Sequence, residues 1–169
     1  MKIFVAKIKD LADCKHKAGR ILTQQAAQNI YGITDTQIRI KNKKPLFVNA
    51  GLNFNISHSE DFVGVCFDKE PLGFDMEYMK KRDFNALLKR YKLPVKDAKT
   101  IFYRFWCGYE AKLKLQSPEK TLITFKLFDD YMAALASASE KEITVKAYMF
   151  PSMEEIALTE FFKPLDIRL

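Results

Sequence analysis

Five residues, Gly73-Phe74-Asp75-Met76-Glu77, do most to limit what this chain can become. They follow an apolar run and Pro71, and they set two carboxylates two positions apart. In an extended segment, side chains at i and i+2 share a face. Asp75 and Glu77 therefore point one way, while Phe74, Met76 and Tyr78 point the other, into a core. Two like charges a few ångströms apart raise each other's free energy unless a cation stands between them. Oxygen-only donors on one face suit Mg²⁺, which takes one or two carboxylates and completes its shell with water and substrate phosphates. A solvated edge strand produces the same pattern, so the rest of the chain has to decide.

With 169 residues, the chain is long enough for one domain or two small ones. It is 48% hydrophobic with 14 Phe, which supports a real core and excludes compositional disorder. Cys14, Cys66 and Cys107 lack metal-ligand spacing, and Cys66 and Cys107 sit in apolar runs as buried thiols, a pattern of a reducing compartment. Met1 to Lys9 alternate apolar and basic residues without the apolar stretch of a signal peptide. No run approaches the roughly 18 apolar residues of a membrane span. The expectation is a cytoplasmic protein with no membrane partner. The net charge of +7 draws polyanions of several kinds and does not choose among them.

Along the chain, Met1 to Ile8 reads as a strand and residues 10–31 as a helix, capped by Asp10 or Asp13 and closed by Gly32. Lys15, Lys17 and Arg20 load its first half with cations that oppose the helix dipole, a mild conflict that an anion would relieve. Ile38 to Ile40 and Leu46 to Val48 flank a basic turn, Lys41 to Pro45. Phe54-Asn55-Ile56-Ser57-His58-Ser59 is a strand rich in phosphate donors. Adjacent strand residues face opposite ways, so Ser57 and His58 form no nucleophile–base pair. Asp61 to Asp68 and Leu72 to Tyr78 are strands, and Asp83 caps a short helix over Phe84 to Tyr91. A longer helix starts at Pro94 and ends near Leu115, with Ala98, Ile101, Phe102, Phe105, Trp106, Tyr109 and Leu113 as its apolar stripe. Glu110 lies half buried at the stripe's edge, four residues before Lys114, where an ordinary helical ion pair would form. Lys120 to Lys126, Tyr131 to Ser137 and Glu142 to Tyr148 read as three antiparallel strands. Pro151 to Leu169 carries no clear signal, and a weak boundary falls at Lys69-Glu70-Pro71.

Four pieces in series, Lys43-Lys44-Pro45, Asn55-Ile56-Ser57-His58-Ser59, Gly73-Phe74-Asp75-Met76-Glu77 and Trp106 to Lys114, resemble the surfactin-type 4′-phosphopantetheinyl transferase family over about residues 18–137. The resemblance implies an α+β fold of two similar halves related by a pseudo-twofold, with the active site at their interface. Residues 1–70 would be the coenzyme A nucleotide side and residues 71–169 the metal-binding, catalytic side. It implies a monomer that moves the phosphopantetheine arm of coenzyme A onto a serine of an acidic acyl or peptidyl carrier protein, releasing adenosine 3′,5′-bisphosphate.

By that resemblance Asp75, Glu77 and Glu110 hold Mg²⁺, with Mn²⁺ an open alternative. Glu110, directly or through a water on the metal, is the general base, and Lys114 stabilises charge developing on phosphate. Ser57 and His58 take the 3′-phosphate side of the nucleotide, and His58 is counted among the catalytic residues with Glu110 and Lys114. Lys44 takes a phosphate, and Lys15, Lys17 and Arg20 add to the basic pocket. The chain departs from the family pattern at Tyr109, which replaces a Lys, at Lys43, which replaces a Gly, and at Leu115 to Pro118, where a Gly-rich turn is usual. Two other readings are a catalytically impaired coenzyme-A-binding relative and a basic nucleic-acid-binding module. The scattered basic residues and the lack of an RNA-binding signature count against the second.

Overall fold

The computed structural model describes residues 1–140 and 143–162. In chain order the elements are β1 (Lys2–Lys7), α1 (Ile8–Leu11), α2 (Lys15–Tyr31), β2 (Ile38–Lys41), β3 (Lys44–Phe47), β4 (Asn53–Ser59), β5 (Phe62–Asp68), β6 (Leu72–Tyr78), α3 (Phe84–Tyr91), α4 (Ala98–Leu115), β7 (Thr121–Phe128), β8 (Tyr131–Ser137), β9 (Lys146–Met149), β10 (Glu154–Ile156) and β11 (Thr159–Phe162). This is a mixed α+β fold. One sheet has the order β10-β9-β1-β5-β4, a second has β11-β7-β8-β6, and β2-β3 is a separate hairpin.

Alternation along the strands builds the layers. Phe4 and Ala6 of β1 pack under α2 against Ala18, Leu22 and Ala26. Ile3 and Val5 turn to the opposite face and meet Phe74, Met76, Phe125 and Leu135 of the second sheet. On β8, Met132, Ala134 and Ala136 turn outward again, under α4. The order is helix, sheet, sheet, helix, with β4 and β6 side by side as sheet edges. Phe74 and Met76 are fully buried as the two-residue period requires, and Asp75 and Glu77 share the other face.

The first helix is split, because residues 12–14 break it; neither Asp10 nor Asp13 caps α2, whose N-cap is Cys14, while Gly32 closes it at φ 65° as expected. Asp83 does cap α3, accepting from the Asn85 N–H at 2.9 Å. The long helix starts at Ala98 rather than Pro94. Its buried face runs through Phe102, Phe105, Cys107, Gly108, Ala111 and Leu115, so Tyr109 and Leu113 are 36% and 54% exposed instead of lying on the apolar stripe. Cys107, Gly108 and Ala111 hold that face where α4 lies on β6 and β8. β7 and β8 are antiparallel neighbours, but β9 is not their third strand: it returns to the first sheet and pairs parallel with β1. Residues 146–156 thus complete the sheet that begins before residue 70. Lys141, Glu142 and residues 163–169, which the strand and C-terminal expectations included, lie outside the described residues.

Candidate functional site

Where β4 runs beside β6, side chains replace the backbone ladder. Asn55 Oδ1 accepts the Phe74 N–H at 3.0 Å, Ser57 Oγ accepts that of Met76 at 3.2 Å, and Ser59 Oγ accepts that of Tyr78 at 3.0 Å. The two hydroxyls then donate onward, Ser57 to Asp75 Oδ1 at 2.8 Å and Ser59 to Glu77 Oε2 at 2.6 Å. The i, i+2 period of two neighbouring strands brings hydroxyls and carboxylates into register.

α4 covers this row from one side. Lys114 Nζ donates to Asp75 Oδ1 at 2.6 Å, to Ser57 Oγ at 3.2 Å and to the Phe74 carbonyl at 3.3 Å. The helical pair with Glu110 is not formed; buried Asp75 takes the ammonium instead. Ile56, Ser57, His58, Asp75, Glu77, Trp106, Glu110 and Lys114 line one open cavity of about 370 Å³. Glu110 is half buried and has no hydrogen bond or ion pair among the described residues. Burial pushes the Glu77 carboxyl above the usual carboxylate range; the Ser59 hydrogen bond pulls it down and the Asp75 charge pushes it up. The Cys107 thiol is driven well up by burial, then by the charges of Asp75 and Glu77.

A second cavity, of about 320 Å³, adjoins the first through Ile56 and His58 and is walled by Lys15, His16, Arg20, Ile38, Ile40 and Pro45. His58 and His16 meet edge to face at 5.4 Å. Burial lowers the His58 pKa from its ordinary value, as do the charges of Lys15, His16 and Lys114, against a backbone hydrogen bond that raises it. His58 is therefore a neutral ring amid cations, and an incoming phosphate would favour its protonated form.

Most of the expected residues gather here. Asp75, Glu77, Glu110, Lys114, Ser57 and His58 line the first cavity, and Lys15, Arg20 and His58 the second. Lys17 is not brought to either; it stands in an exposed pair with Asp13 at 3.6 Å. Lys44 is buried, its Nζ donating to the carbonyls of Leu72 at 2.9 Å and Lys114 at 3.0 Å, so it ties the end of α4 to the start of β6. Sequence reasoning missed His16, although it lies one helical turn from Arg20. It also missed the roles of Asn55 and Ser59, whose signal was the Asn-x-Ser-x-Ser alternation.

For a metal ion the donors are of the right kind but not gathered. Among the described residues no group of three His, Cys, Asp or Glu is drawn together closely enough to hold one. Yet Asp75 Oδ2 is buried with no hydrogen-bond partner among the described residues, and all the carboxylates offer hard oxygens. An orphaned buried anion oxygen is costly and suits a cation. The donor set therefore fits a divalent ion.

Two sheets are thus joined at their edges by side chains, with Asp75, Glu77 and Glu110 in one cavity and Lys15, His16, Arg20 and His58 walling the next. No family model matches the chain. A protein of Haemophilus influenzae provisionally named a 4′-phosphopantetheinyl transferase is 36% identical over 91 residues, covering 46% of this chain and 39% of that protein. The 4′-phosphopantetheinyl transferases HetI of a Nostoc species and ffp of Bacillus subtilis are each 29% identical, over 117 and 114 residues, covering 57% of this chain and 49% of theirs. Over these stretches the chain is similar to proteins named 4′-phosphopantetheinyl transferases, and the Bacillus match is consistent with a likeness to the surfactin-type branch. The chain spans about half the length, or less, of the curated relatives it matches.

Proposed function

We propose that this protein transfers the 4′-phosphopantetheine arm of coenzyme A to a serine hydroxyl of an acyl or peptidyl carrier protein. The observation that carries the reading is the convergence, in one cavity, of Asp75, Glu77, Glu110 and Lys114 opposite Ser57 and His58. The similarity to three transferases of that name supports it. In this reading the two sheets with their covering helices are halves related by a pseudo-twofold, and the β4–β6 seam is the interface that holds the site.

Coenzyme A would lie across both cavities. His58, Lys15 and Arg20 would bind its 3′-phosphate, with His16 as a fourth donor. Lys44, held by the carbonyls of Leu72 and Lys114, lines a separate cavity with Asn55, Ile56 and Lys114. The pyrophosphate would reach Asp75, Glu77 and Glu110, which would hold Mg²⁺; that ion would offset phosphate charge and orient the reacting oxygens. Glu110, with no hydrogen bond or ion pair among the described residues, would take the proton of the carrier serine, directly or through a water, as the serine oxygen attacks phosphorus. A P–O bond forms to the serine, the bridging P–O bond breaks, and adenosine 3′,5′-bisphosphate leaves. Lys114 stands beside this point as a donor to the developing charge, once phosphate competes with Asp75 for its ammonium.

The acidic partner matches the charge map. Residues 80–104 carry nine Lys and Arg against Asp83 and Asp97, a balance of +7 that equals the charge of the whole chain. Lys81, Lys89, Lys92 and Lys96 are exposed and form no ion pair among the described residues. Arg82 stacks its guanidinium 5.4 Å from the Tyr103 ring and helps to hold the Glu77 carboxyl down, so the basic face reaches the site. The test is mass spectrometry of apo carrier proteins incubated with coenzyme A, Mg²⁺ and this protein. A gain of one phosphopantetheine arm is expected, and no gain across several carriers would refute the proposal.

A further inference from the structure

The row that joins β4 to β6 does two jobs that can be separated. Its three rungs share one architecture: an oxygen on β4, from Asn55, Ser57 or Ser59, accepts an N–H of β6 at Phe74, Met76 or Tyr78. Only two rungs go on to a carboxylate, because the residue that would complete the series is Gly73. Asn55 therefore stitches the sheets and touches no acid, whereas Ser57 and Ser59 stitch and also grip Asp75 and Glu77.

The hydroxyl inventory sharpens the difference. A serine has one donor and two lone pairs. Ser57 uses all three, on Asp75 Oδ1, the Met76 N–H and the Lys114 ammonium. Ser59 uses its donor on Glu77 and one lone pair on the Tyr78 N–H. Ser59 is buried, and its 2.6 Å bond to Glu77 has the length of a charge-assisted contact. Glu77 lacks any other hydrogen-bond donor among the described residues. A glutamate has three side-chain torsions, so one fixed oxygen removes much of its freedom.

We infer that Ser59 is a positioning residue: it presets the Glu77 carboxylate, as Ser57 presets Asp75, so that both face the cavity before a divalent cation arrives. This rests on the cation reading proposed above. Partners that orient a metal's ligands typically contribute 10- to 100-fold to affinity. The carboxylates belong to the second sheet and their hydroxyls to the first, so the metal site would be assembled only when the two sheets meet.

The test is Mn²⁺ binding, followed by loss of the free-ion electron paramagnetic resonance signal, at one fixed coenzyme A concentration in every arm. Wild type, Ser59→Ala and Asn55→Ala are compared, with melting temperatures recorded for each. Each variant loses one stitch and some stability. Ser59→Ala is expected to bind Mn²⁺ about tenfold more weakly, and Asn55→Ala within about twofold of wild type. Asn55→Ser replaces Asn55→Ala if the latter does not fold. Ser59→Ala binding as wild type, or the Asn55 variant weakening as much as Ser59→Ala, would reduce Ser59 to a stitch and overturn the inference while the transfer reading stands. Wild type that binds no Mn²⁺ would overturn the cation reading and this inference together.

Discussion

Glu110 stands in the cavity without a hydrogen-bond or ion-pair partner among the described residues. Glu110→Gln keeps its size and removes its basicity. Steady-state assays should show transfer lowered by at least about 100-fold, with coenzyme A binding largely kept; retained turnover would remove Glu110 from its role. The orientation of Asp75 and Glu77 was legible from strand alternation alone. Their partners were not. Helical spacing pairs Glu110 with Lys114, but Asp75, whose side chain is only 5% exposed, would otherwise be an unpaired buried charge. Compensating it is worth more than an exposed helical pair of about 0.2–0.5 kcal/mol. Lys44 tells the same story: its buried ammonium goes to the carbonyls at the end of α4.

α4 is the element on which the site depends, since it carries both Glu110 and Lys114. It can lie close to β6 because residue 73 is Gly. A Cβ there would stand 1.9 Å from the Ala111 carbonyl oxygen and 2.7 Å from the Leu115 nitrogen, both backbone atoms that cannot step aside. Gly64 offers the contrast: its added Cβ would meet side chains and no backbone, the Met76 sulfur at 2.8 Å and the Phe74 ring at 3.0 Å. Gly73→Ala should therefore destabilise by about 3 kcal/mol and lower activity further by displacing α4. Gly64→Ala should destabilise by about 1 kcal/mol. Urea melts of the two variants, with assays below their midpoints, would check this; equal losses would mean α4 is free to shift. The helix itself was legible from its apolar period, but its rotation was not. Apolar size favours Tyr109 and Leu113 as core residues, whereas contact with β6 and β8 selects Cys107, Gly108, Ala111 and Leu115.

At the scale of the whole molecule, the concentration of charge around α3 would make docking of the proposed acidic carrier salt-sensitive. Reversing Lys89 and Lys92 to Glu should raise KM for such a carrier about tenfold at low salt and leave kcat little changed. The difference should shrink as salt rises. An unchanged KM would place docking elsewhere.

The buried acids of the core dictate an alkaline limit. Burial raises the pKa of Tyr131 to about 12, and it also raises those of Tyr31, Tyr103, Cys66 and Cys107. The folded chain keeps these protons where the unfolded chain begins to lose them, from about pH 8.5 for thiols and about 10 for tyrosines. Stability is thus complete below that range and falls as pH rises through it. Urea midpoints should be level from pH 7 to 8 and drop by pH 10.5. Tyr131→Phe should flatten the part of that fall above pH 10, and an unaltered slope would exclude Tyr131 as a source.

What the sequence by itself determined are the properties that repeat over a few residues. They include the same-face carboxylates, a long helix ending near Leu115, the Asp83 cap, the Gly32 stop and the series of motifs that resembles a known family. These depend on periods of 2 and 3.6 residues and on local turn chemistry, which neighbours in the chain settle. Only the tertiary structure decided that β9 crosses back beside β1, that Lys114 goes to Asp75, and that Asn55, Ser57 and Ser59 stand in register with β6. Each of these joins residues far apart in the chain. Each is selected by the need to pair buried polar groups, a demand that exists only after the sheets have packed.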